Sequence, residues 1–264
     1  MPTPPLAMRL LGLLAAVLLR PALALAASDP SPEEILAAAD RVRNPDQPFR
    51  VTLALVEYVN GKARDRTGLA VYARLDEETR QYDNLVRYVE PPRDAGKMVL
   101  LKGSALWFYD PASKASIRIS PQQRLIGQAA EGDVLSVNLA RDYSTRIAGE
   151  ESLQDADRKA RQCWHLEMTA ATPEAIYNRV EYWVEKGTFH PVKGKFYADS
   201  GRLLKIAYYR RYEEQLGTLR PMEAILIDAV NSSLATTIDY SDYRYQEIPR
   251  DSFQRDYLPR LQPE

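Results

Sequence analysis

From residue 49 onward, the chain is dominated by apolar residues that alternate with polar or small ones. The first such segment carries apolar side chains at every second position, at Phe49, Val51, Leu53 and Leu55. This period of two predicts a strand with one buried face. Asn60-Gly61 is a strong hairpin signal, and the alternation returns in 68–75 and 79–90. The chain therefore begins its β region with a series of antiparallel strands.

More strand patterns follow residue 142, and turn-type residues such as Lys186-Gly187 and Leu216-Gly217 separate them. The predicted strands are 143–151, 160–170, 177–186, 191–199, 202–212, 219–230 and 235–245. Long strands joined in series by tight turns predict an antiparallel meander rather than alternating βαβ units. Helices are few: Ser31-Pro32-Glu33-Glu34 begins one that we expect to end near Arg43, and 250–258 is compatible with a short one.

Several predicted strands are apolar on both faces. Met222, Ala224 and Leu226 lie on one side of a strand, while Ile225 and Ile227 lie on the other. An antiparallel sheet with one face in water alternates more cleanly than this. Two arrangements account for the pattern: a sheet curled round an apolar interior with a further contact outside, or a strand buried centrally in a sandwich.

The segment 97–142 is the most informative part of the chain. Its first half contains three short apolar runs, broken at Lys102-Gly103 and at 110–112. Its second half is helical or irregular and carries apolar residues at Leu125, Ile126, Leu135, Val137 and Leu139. A sheet with a movable apolar flap laid over it is a way for a soluble protein to hide a hydrophobic pocket. The pattern therefore favours a carrier of hydrophobic cargo.

The first 26 residues have the pattern of a cleavable signal peptide. Met8-Arg9 is a basic start, Leu10–Leu19 is an apolar run, and Ala24-Leu25-Ala26 is a small-residue cleavage site. The apolar run is shorter than the roughly 20 residues that span a bilayer. We expect the mature chain, 27–264, to form a single domain in the periplasm, and no cysteine near its start offers a site for lipid attachment.

Composition and motifs exclude several functions. The formal charge is −1, so there is no electrostatic case for binding nucleic acid. Cys163 is the only cysteine, which rules out an internal disulfide, and His165 and His190 lack metal-site spacing. Phosphate-loop and nucleophile-elbow motifs are absent from the sequence. Cys163 and His165 share a strand face, but we expect no enzyme, no cofactor and no metal site.

Residues 96–127 carry a resemblance to a known family. They contain Gly96–Gly103, then Leu106-Trp107-Phe108-Tyr109-Asp110-Pro111, then Arg118–Ser120, and finally Arg124 and Gly127. This series resembles the LolA-like outer-membrane lipoprotein-sorting proteins. The resemblance implies a curled antiparallel sheet, an incomplete barrel, covered by helices around an apolar cavity. It also implies transport of acylated cargo across the periplasm, and in this family an Arg on the second strand, here matched by Arg74, ties down the lid.

From these arguments we predict a periplasmic carrier or chaperone that binds lipid or lipoprotein acyl chains and transfers them toward the outer membrane. We expect it to be a monomer. Residues 132–139 depart from the family pattern, so a free lipid stays open as cargo. The alternatives are an accessory subunit of an inner-membrane exporter, a sensor of lipidated proteins, or an enzyme acting on envelope lipids. The predicted cavity residues are Leu53, Leu55, Val71, Leu100, Trp107, Leu125, Ile126, Leu135, Trp164 and Met168.

Overall fold

A single antiparallel sheet of thirteen strands forms the frame of the protein in the computed structural model. The structure describes Met1 and residues 29–261. Apart from Met1, the predicted signal peptide at 1–26 lies outside the described residues. Among the described helices, none is long and apolar enough to cross a membrane.

The elements follow the predicted order closely. The first part of the chain contains helix α1 (Pro32–Arg43) and strands β1 (Phe49–Val59), β2 (Lys62–Leu75), β3 (Tyr82–Glu90), β4 (Met98–Lys102), β5 (Ala105–Asp110), β6 (Ala115–Ile119), β7 (Arg124–Ile126) and β8 (Ala129–Ala130). The second part contains helix α2 (Leu139–Asp142) and strands β9 (Tyr143–Gln154), β10 (Ala160–Ala170), β11 (Arg179–Glu185), β12 (Pro191–Tyr197), β13 (Leu203–Gln215), β14 (Thr218–Asp228) and β15 (Leu234–Tyr245). Short 3₁₀ helices lie at Glu131–Val134, Arg250–Phe253 and Arg255–Arg260.

The strand order is β6-β5-β4-β3-β2-β1-β15-β14-β13-β12-β11-β10-β9, and every neighbouring pair is antiparallel. The chain moves outward from β1 to the β6 edge, crosses to the β9 edge, and returns strand by strand to β15. Strands β1 and β15 then pair in the middle, with Leu53 opposite Tyr240. The first and last strands of the meander are therefore joined, and the sheet stays open between β6 and β9.

Helix α1 begins at a complete capping box. The Ser31 hydroxyl accepts a hydrogen bond from the Glu34 backbone N–H at 3.2 Å, and the Glu34 carboxylate accepts one from the Ser31 N–H at 2.8 Å. Pro32 occupies the first turn, where its missing N–H costs nothing. Ile35 and Leu36 are fully buried against β9–β11. The predicted start and end of this helix are confirmed.

One face of the sheet, here called the inner face, carries two apolar clusters. The first spans β1–β5 and β13–β15, and the second lies between α1 and β9–β11. Leu139, Ile176 and Tyr209 pack against both clusters, which links them into one continuous interior. The inner face is thus the buried core of the whole molecule.

The other face, the outer face, is buried only in part. The C-terminal segment 248–261 crosses β2–β5 there and packs Ile248, Phe253 and Leu258 against Tyr72 and Leu85. This contact explains why these strands are apolar on both sides. The second face of β2–β5 is thus covered by the tail and not by another sheet. Strand β14, for which a sandwich was the alternative, lies in the same thirteen-stranded sheet, and its outward-facing Ile225 and Ile227 are only partly buried.

The prediction of a mainly β fold with few helices and one open antiparallel sheet is confirmed. The predicted cover of helices is not confirmed. Helix α1 lies on the second inner cluster, but the first is covered mostly by irregular chain and short 3₁₀ and β segments between Arg124 and Asp142.

Candidate functional site

The segment Arg124–Asp142, here called the flap, covers the first inner cluster. It contributes buried side chains to that cluster, namely Ile126, Ala129, Val134, Leu135 and Val137. Their partners on the sheet include Leu53, Leu55 and Val71. The flap therefore occupies the apolar face that cargo would need to contact.

Most of the predicted cavity residues meet on this inner face. Leu53, Leu55, Val71, Ile126 and Leu135 belong to the first cluster, and Leu125 is partly buried against it. Trp164 and Met168 belong to the second cluster, beneath α1. The structure thus brings eight predicted residues to one face, in two adjoining clusters.

Leu100 and Trp107 require a correction, because they lie on the outer face under the C-terminal tail. Val86 pairs with Val99 and Val99 with Phe108, and all three side chains point inward. The side-chain period of a strand is two, so the neighbouring residues Leu100 and Trp107 point outward. Leu100 and Trp107 therefore contact the C-terminal tail and lie on the face opposite to the other predicted cavity residues.

Arg74 is also placed on the outer face. It alternates with the inward-facing Ala73 and Leu75, and it pairs with Asp83 across β2 and β3. The apolar part of the flap lies on the opposite face of this strand, but Arg74 lines an open surface pocket together with Asn138 and Ala140 at the end of the flap. The lid-gating role of Arg74 stays a prediction. Other residues hold the flap in place.

Asn84 of β3 makes the most direct contact with the flap. Its side-chain amide donates to the Ser136 carbonyl at 2.8 Å and accepts from the Ser136 N–H at 2.8 Å. Gln81 accepts from the Asn138 N–H at 2.7 Å, and Asn44 donates to the Val137 carbonyl at 3.0 Å. Three amide side chains therefore supply hydrogen bonds to the irregular backbone of residues 136–138, as buried backbone groups require.

An ion pair fastens the middle of the flap to the other half of the sheet. Lys205 of β13 contacts the Asp133 carboxylate, and both side chains are almost completely buried. Asp133 also accepts a hydrogen bond from the Tyr177 hydroxyl at 2.7 Å. A buried pair of this kind is costly to break, because each partner left alone is an uncompensated charge.

Gly127 lets the flap approach β15 closely. Its φ is +53°, and a Cβ at this position would lie 2.2 Å from the Thr236 hydroxyl. That hydroxyl accepts a hydrogen bond from the Gln128 N–H at 2.7 Å. The sequence motif that contains Gly127 therefore has a structural reason: only glycine fits both the backbone angle and the contact.

Glu131 is a buried ionisable group within the flap. Its Oε1 accepts a hydrogen bond from the Tyr88 hydroxyl at 3.0 Å, while its Oε2 is buried without a partner among the described residues. Burial raises the pKa of Glu131 to about 7, because the charged form loses its hydration. We therefore expect the packing of the flap at Glu131 to depend on the protonation of this carboxyl close to neutral pH.

Two small inner cavities lie where the clusters meet, with volumes of about 40 and 70 Å³. Both are lined by Arg43, Asp133, Tyr209 and Tyr240. Their size corresponds to a few water molecules, so neither holds a long acyl chain while the flap is closed.

Arg43 and its tyrosine neighbours were missed by sequence reasoning. A cation in the last turn of a helix is ordinarily explained by the helix dipole, and Arg43 is the final residue of α1. Tyrosines are common on strands, so their positions in the sequence did not point to a cavity. The amphipathic pattern of α1 contained a weak signal, because Arg43 follows the buried Val42 at the end of the helix.

Cys163 and His165 lie on the outer face, away from the flap. Burial raises the pKa of the Cys163 thiol to about 12, which disfavours a thiolate. His165 stacks on Trp183 with ring centroids 4.3 Å apart. In the part of the chain that the structure describes, no group of three or more His, Cys, Asp or Glu residues is arranged to hold a metal ion.

An open antiparallel sheet whose inner apolar face is closed by a flap defines a class of half-barrel proteins. A solved LolA superfamily protein from Nitrosomonas europaea is similar, with a TM-score of 0.77 and 33% identity over 87% of this chain and 100% of that one. The chain belongs to the LolA superfamily, and the sequence-based recognition is confirmed.

Further comparisons agree on the fold. A family model described as an uncharacterized protein matches residues 80–260. A DUF1329 family protein from Desulfovibrio piger has a TM-score of 0.72 at 20% identity, over 87% of this chain and 100% of that one. A putative outer membrane lipoprotein-sorting protein domain from Vibrio parahaemolyticus has a TM-score of 0.68 at 19% identity, over 86% and 97%. No curated protein matches the sequence.

Proposed function

We propose that the protein is a non-catalytic periplasmic carrier that binds the acyl chains of a lipid or lipoprotein on its inner face and passes them toward the outer membrane. The observation that carries this proposal is the flap: a polar-anchored segment whose apolar side chains fill the inner face of an open sheet. In this proposal the apolar side chains of the flap occupy the position that the acyl chain takes when cargo is bound. We propose that the protein acts as a monomer.

Acyl cargo and the flap compete for the same apolar face of the sheet. Moving an acyl chain out of water gains about 0.8 kcal/mol per methylene, on the order of 10 kcal/mol for a chain of sixteen carbons before entropic costs. Opening the flap sacrifices the hydrogen bonds of Asn84, Gln81 and Asn44, each with a net value of about 1 kcal/mol, together with the buried Lys205–Asp133 pair. Opening also exposes buried flap side chains such as Leu135 and Val137, so we propose that only a long acyl chain offsets the cost.

The proposal is tested on the full chain produced in a two-membrane bacterium and isolated from the periplasm. Native mass spectrometry with lipid extraction should find bound acylated molecules. A photoactivatable fatty acid should label the inner face, near Leu53 and Tyr240, and spare the outer face near Trp107.

Labelling near Trp107 is the control for labelling near Leu53, because the two residues lie on opposite faces of one sheet. Protein that carries no lipid and takes up none, or label that is concentrated on the outer face, would contradict the carrier. Lipid-free protein in a stable complex with an inner-membrane exporter would instead favour an accessory subunit.

A further inference from the structure

Arg43 is a largely buried cation in the lining of the inner cavities. It lines both of them, and about 19% of its side chain is accessible. Its nearest carboxylate oxygen belongs to Asp40, at 3.7 Å, which is too long for a hydrogen bond. Within residues 29–261, its guanidinium makes no hydrogen bond. This leaves the five N–H donors of the guanidinium without a hydrogen-bonded acceptor in the described chain.

Asp40 compensates this charge incompletely. Its Oδ2 accepts a hydrogen bond from the Ala140 N–H at 2.8 Å, and its Oδ1, which faces Arg43 at 3.7 Å, is buried without a hydrogen-bond partner in the described chain. Burial raises the pKa of Asp40 to about 7, so near neutrality this carboxyl is partly uncharged. The Arg43 guanidinium stays protonated at every physiological pH. A buried charge in this situation favours an anion as ligand.

Asp133, the acid that lines both cavities, is already engaged. Asp133 is paired with Lys205 and accepts from the Tyr177 hydroxyl. Asp133 therefore does not neutralise Arg43, whose nearest carboxylate oxygen is that of Asp40 at 3.7 Å.

Tyr182 supplies a second unsatisfied group. It is about 1% exposed, and its hydroxyl approaches that of Tyr209 but makes no hydrogen bond of good geometry. It lines the larger cavity together with apolar side chains such as Val137, Leu226 and Ile238. One cation, one hydroxyl without a well-formed hydrogen bond, and apolar walls are the complement of an amphiphile with an anionic head.

We propose that the hollow selects acyl chains that end in a carboxylate, and that Arg43 binds this head group with help from the Tyr182 hydroxyl. The proposal rests on the proposed function and names its substrate class. A planar guanidinium matches a carboxylate through two parallel hydrogen bonds. Cavities of about 40 and 70 Å³ accommodate a carboxylate but not a glycerophosphate head. The acyl tail would replace flap side chains such as Val137.

The test compares sodium oleate with methyl oleate, which has the same tail and no charge, in titrations of delipidated full chain. The wild type should bind oleate at least about tenfold more tightly than the ester. Arg43→Met should remove this preference while methyl oleate binding stays within about twofold, because only the head-group contact is lost. Arg41→Met is the matched control: Arg41 lies on the same helix but is exposed, and its variant should keep the preference.

Each result decides the proposal. Tyr182→Phe removes one hydroxyl with little change of shape and should weaken the binding of oleate about threefold. If Arg43→Met does not fold, this second variant still tests the head-group site. Equal binding of oleate and ester by the wild type would overturn the head-group site and leave the carrier intact. Tighter binding of dodecyl phosphate than of laurate would overturn the choice of carboxylate. Failure to bind any of these ligands would overturn both proposals.

Discussion

Single buried ionisable residues set the behaviour of the flap and its surroundings. Glu131 lies within the flap, while Asp40 accepts from the backbone of Ala140 at its end. Burial raises the pKa of each to about 7. Lys205 and Asp133, in contrast, neutralise one another. The free energy of unfolding therefore depends on the protonation of these carboxyls as well as on hydrophobic burial.

Replacing Glu131 with Gln should change how stability depends on pH. The folded-state pKa of Glu131, about 7, lies above its unfolded value of 4.5, so the wild type should gain stability as pH falls from about 8 toward 4.5. The contribution is on the order of 3 kcal/mol. Glu131→Gln removes the charge, so the variant should lose most of this gain and be more stable than wild type at pH 8.

Urea unfolding at several pH values measures this effect. Asp40 titrates in the same range, so the informative quantity is the difference between wild type and variant at each pH. Identical pH profiles for the two proteins would show that Glu131 is hydrated in solution.

At the scale of elements, the strands were predicted well and their faces less well. Alternation gives two faces for every strand, and it placed Leu53, Leu55 and Val71 together correctly. It failed for Leu100 and Trp107 because both faces of β4 and β5 are apolar, one under the flap and one under the tail. Only pairing with β3 decides which residues point inward.

The flap depends on side chains that no local pattern reveals. Asn84, Gln81 and Asn44 are far from it in sequence, and each bonds to its backbone. Sequence reasoning could therefore recognise an apolar segment of uncertain conformation but not what holds it. For the same reason the sequence could not show that Arg74 faces outward on β2, and its lid-gating role stays a prediction.

Gly127→Ala should loosen the flap without disturbing the sheet. An Ala there adds a Cβ 2.2 Å from the Thr236 hydroxyl, in addition to the left-handed backbone cost of about 1–2 kcal/mol. Hydrogen exchange in residues 126–138 should accelerate by about tenfold or more, while β10–β12 stay unchanged.

Gly103→Ala is the matched control, because its φ is +57° and nothing lies within 4 Å of the added Cβ. This variant has only the backbone cost and no steric clash, so it should leave hydrogen exchange in the flap unchanged. Equal exchange in the two variants would mean that the Gly127 contact does not hold the flap.

At the scale of the whole molecule, the sheet separates two apolar compartments. The inner one holds the flap and the cavities, and the outer one is closed by the tail at 248–261. The pairing of β1 with β15 brings the two ends of the meander together in its middle. Damage to the outer compartment should therefore lower stability without changing the inner face directly.

Phe253→Ala tests this separation. Phe253 is fully buried in the outer cluster, so the variant should lose about 3–5 kcal/mol of unfolding free energy in urea melts. Gln254→Ala, at an exposed neighbour, should change it by less than about 0.5 kcal/mol. Under conditions where it is folded, Phe253→Ala should bind acyl ligands as the wild type does, and a parallel loss of binding would argue against separate compartments.

The sequence by itself determined the strands, the capped helix and the family, because alternation, capping and turn chemistry act between residues close together in the chain. The tertiary structure decided which face of each strand is inner, what anchors the flap, and that Arg43 faces a hollow with Tyr182 and Tyr240. These features depend on strand register and on contacts between residues up to about 200 positions apart, such as Leu53 and Tyr240. Local periodicity carries no record of such distant pairing.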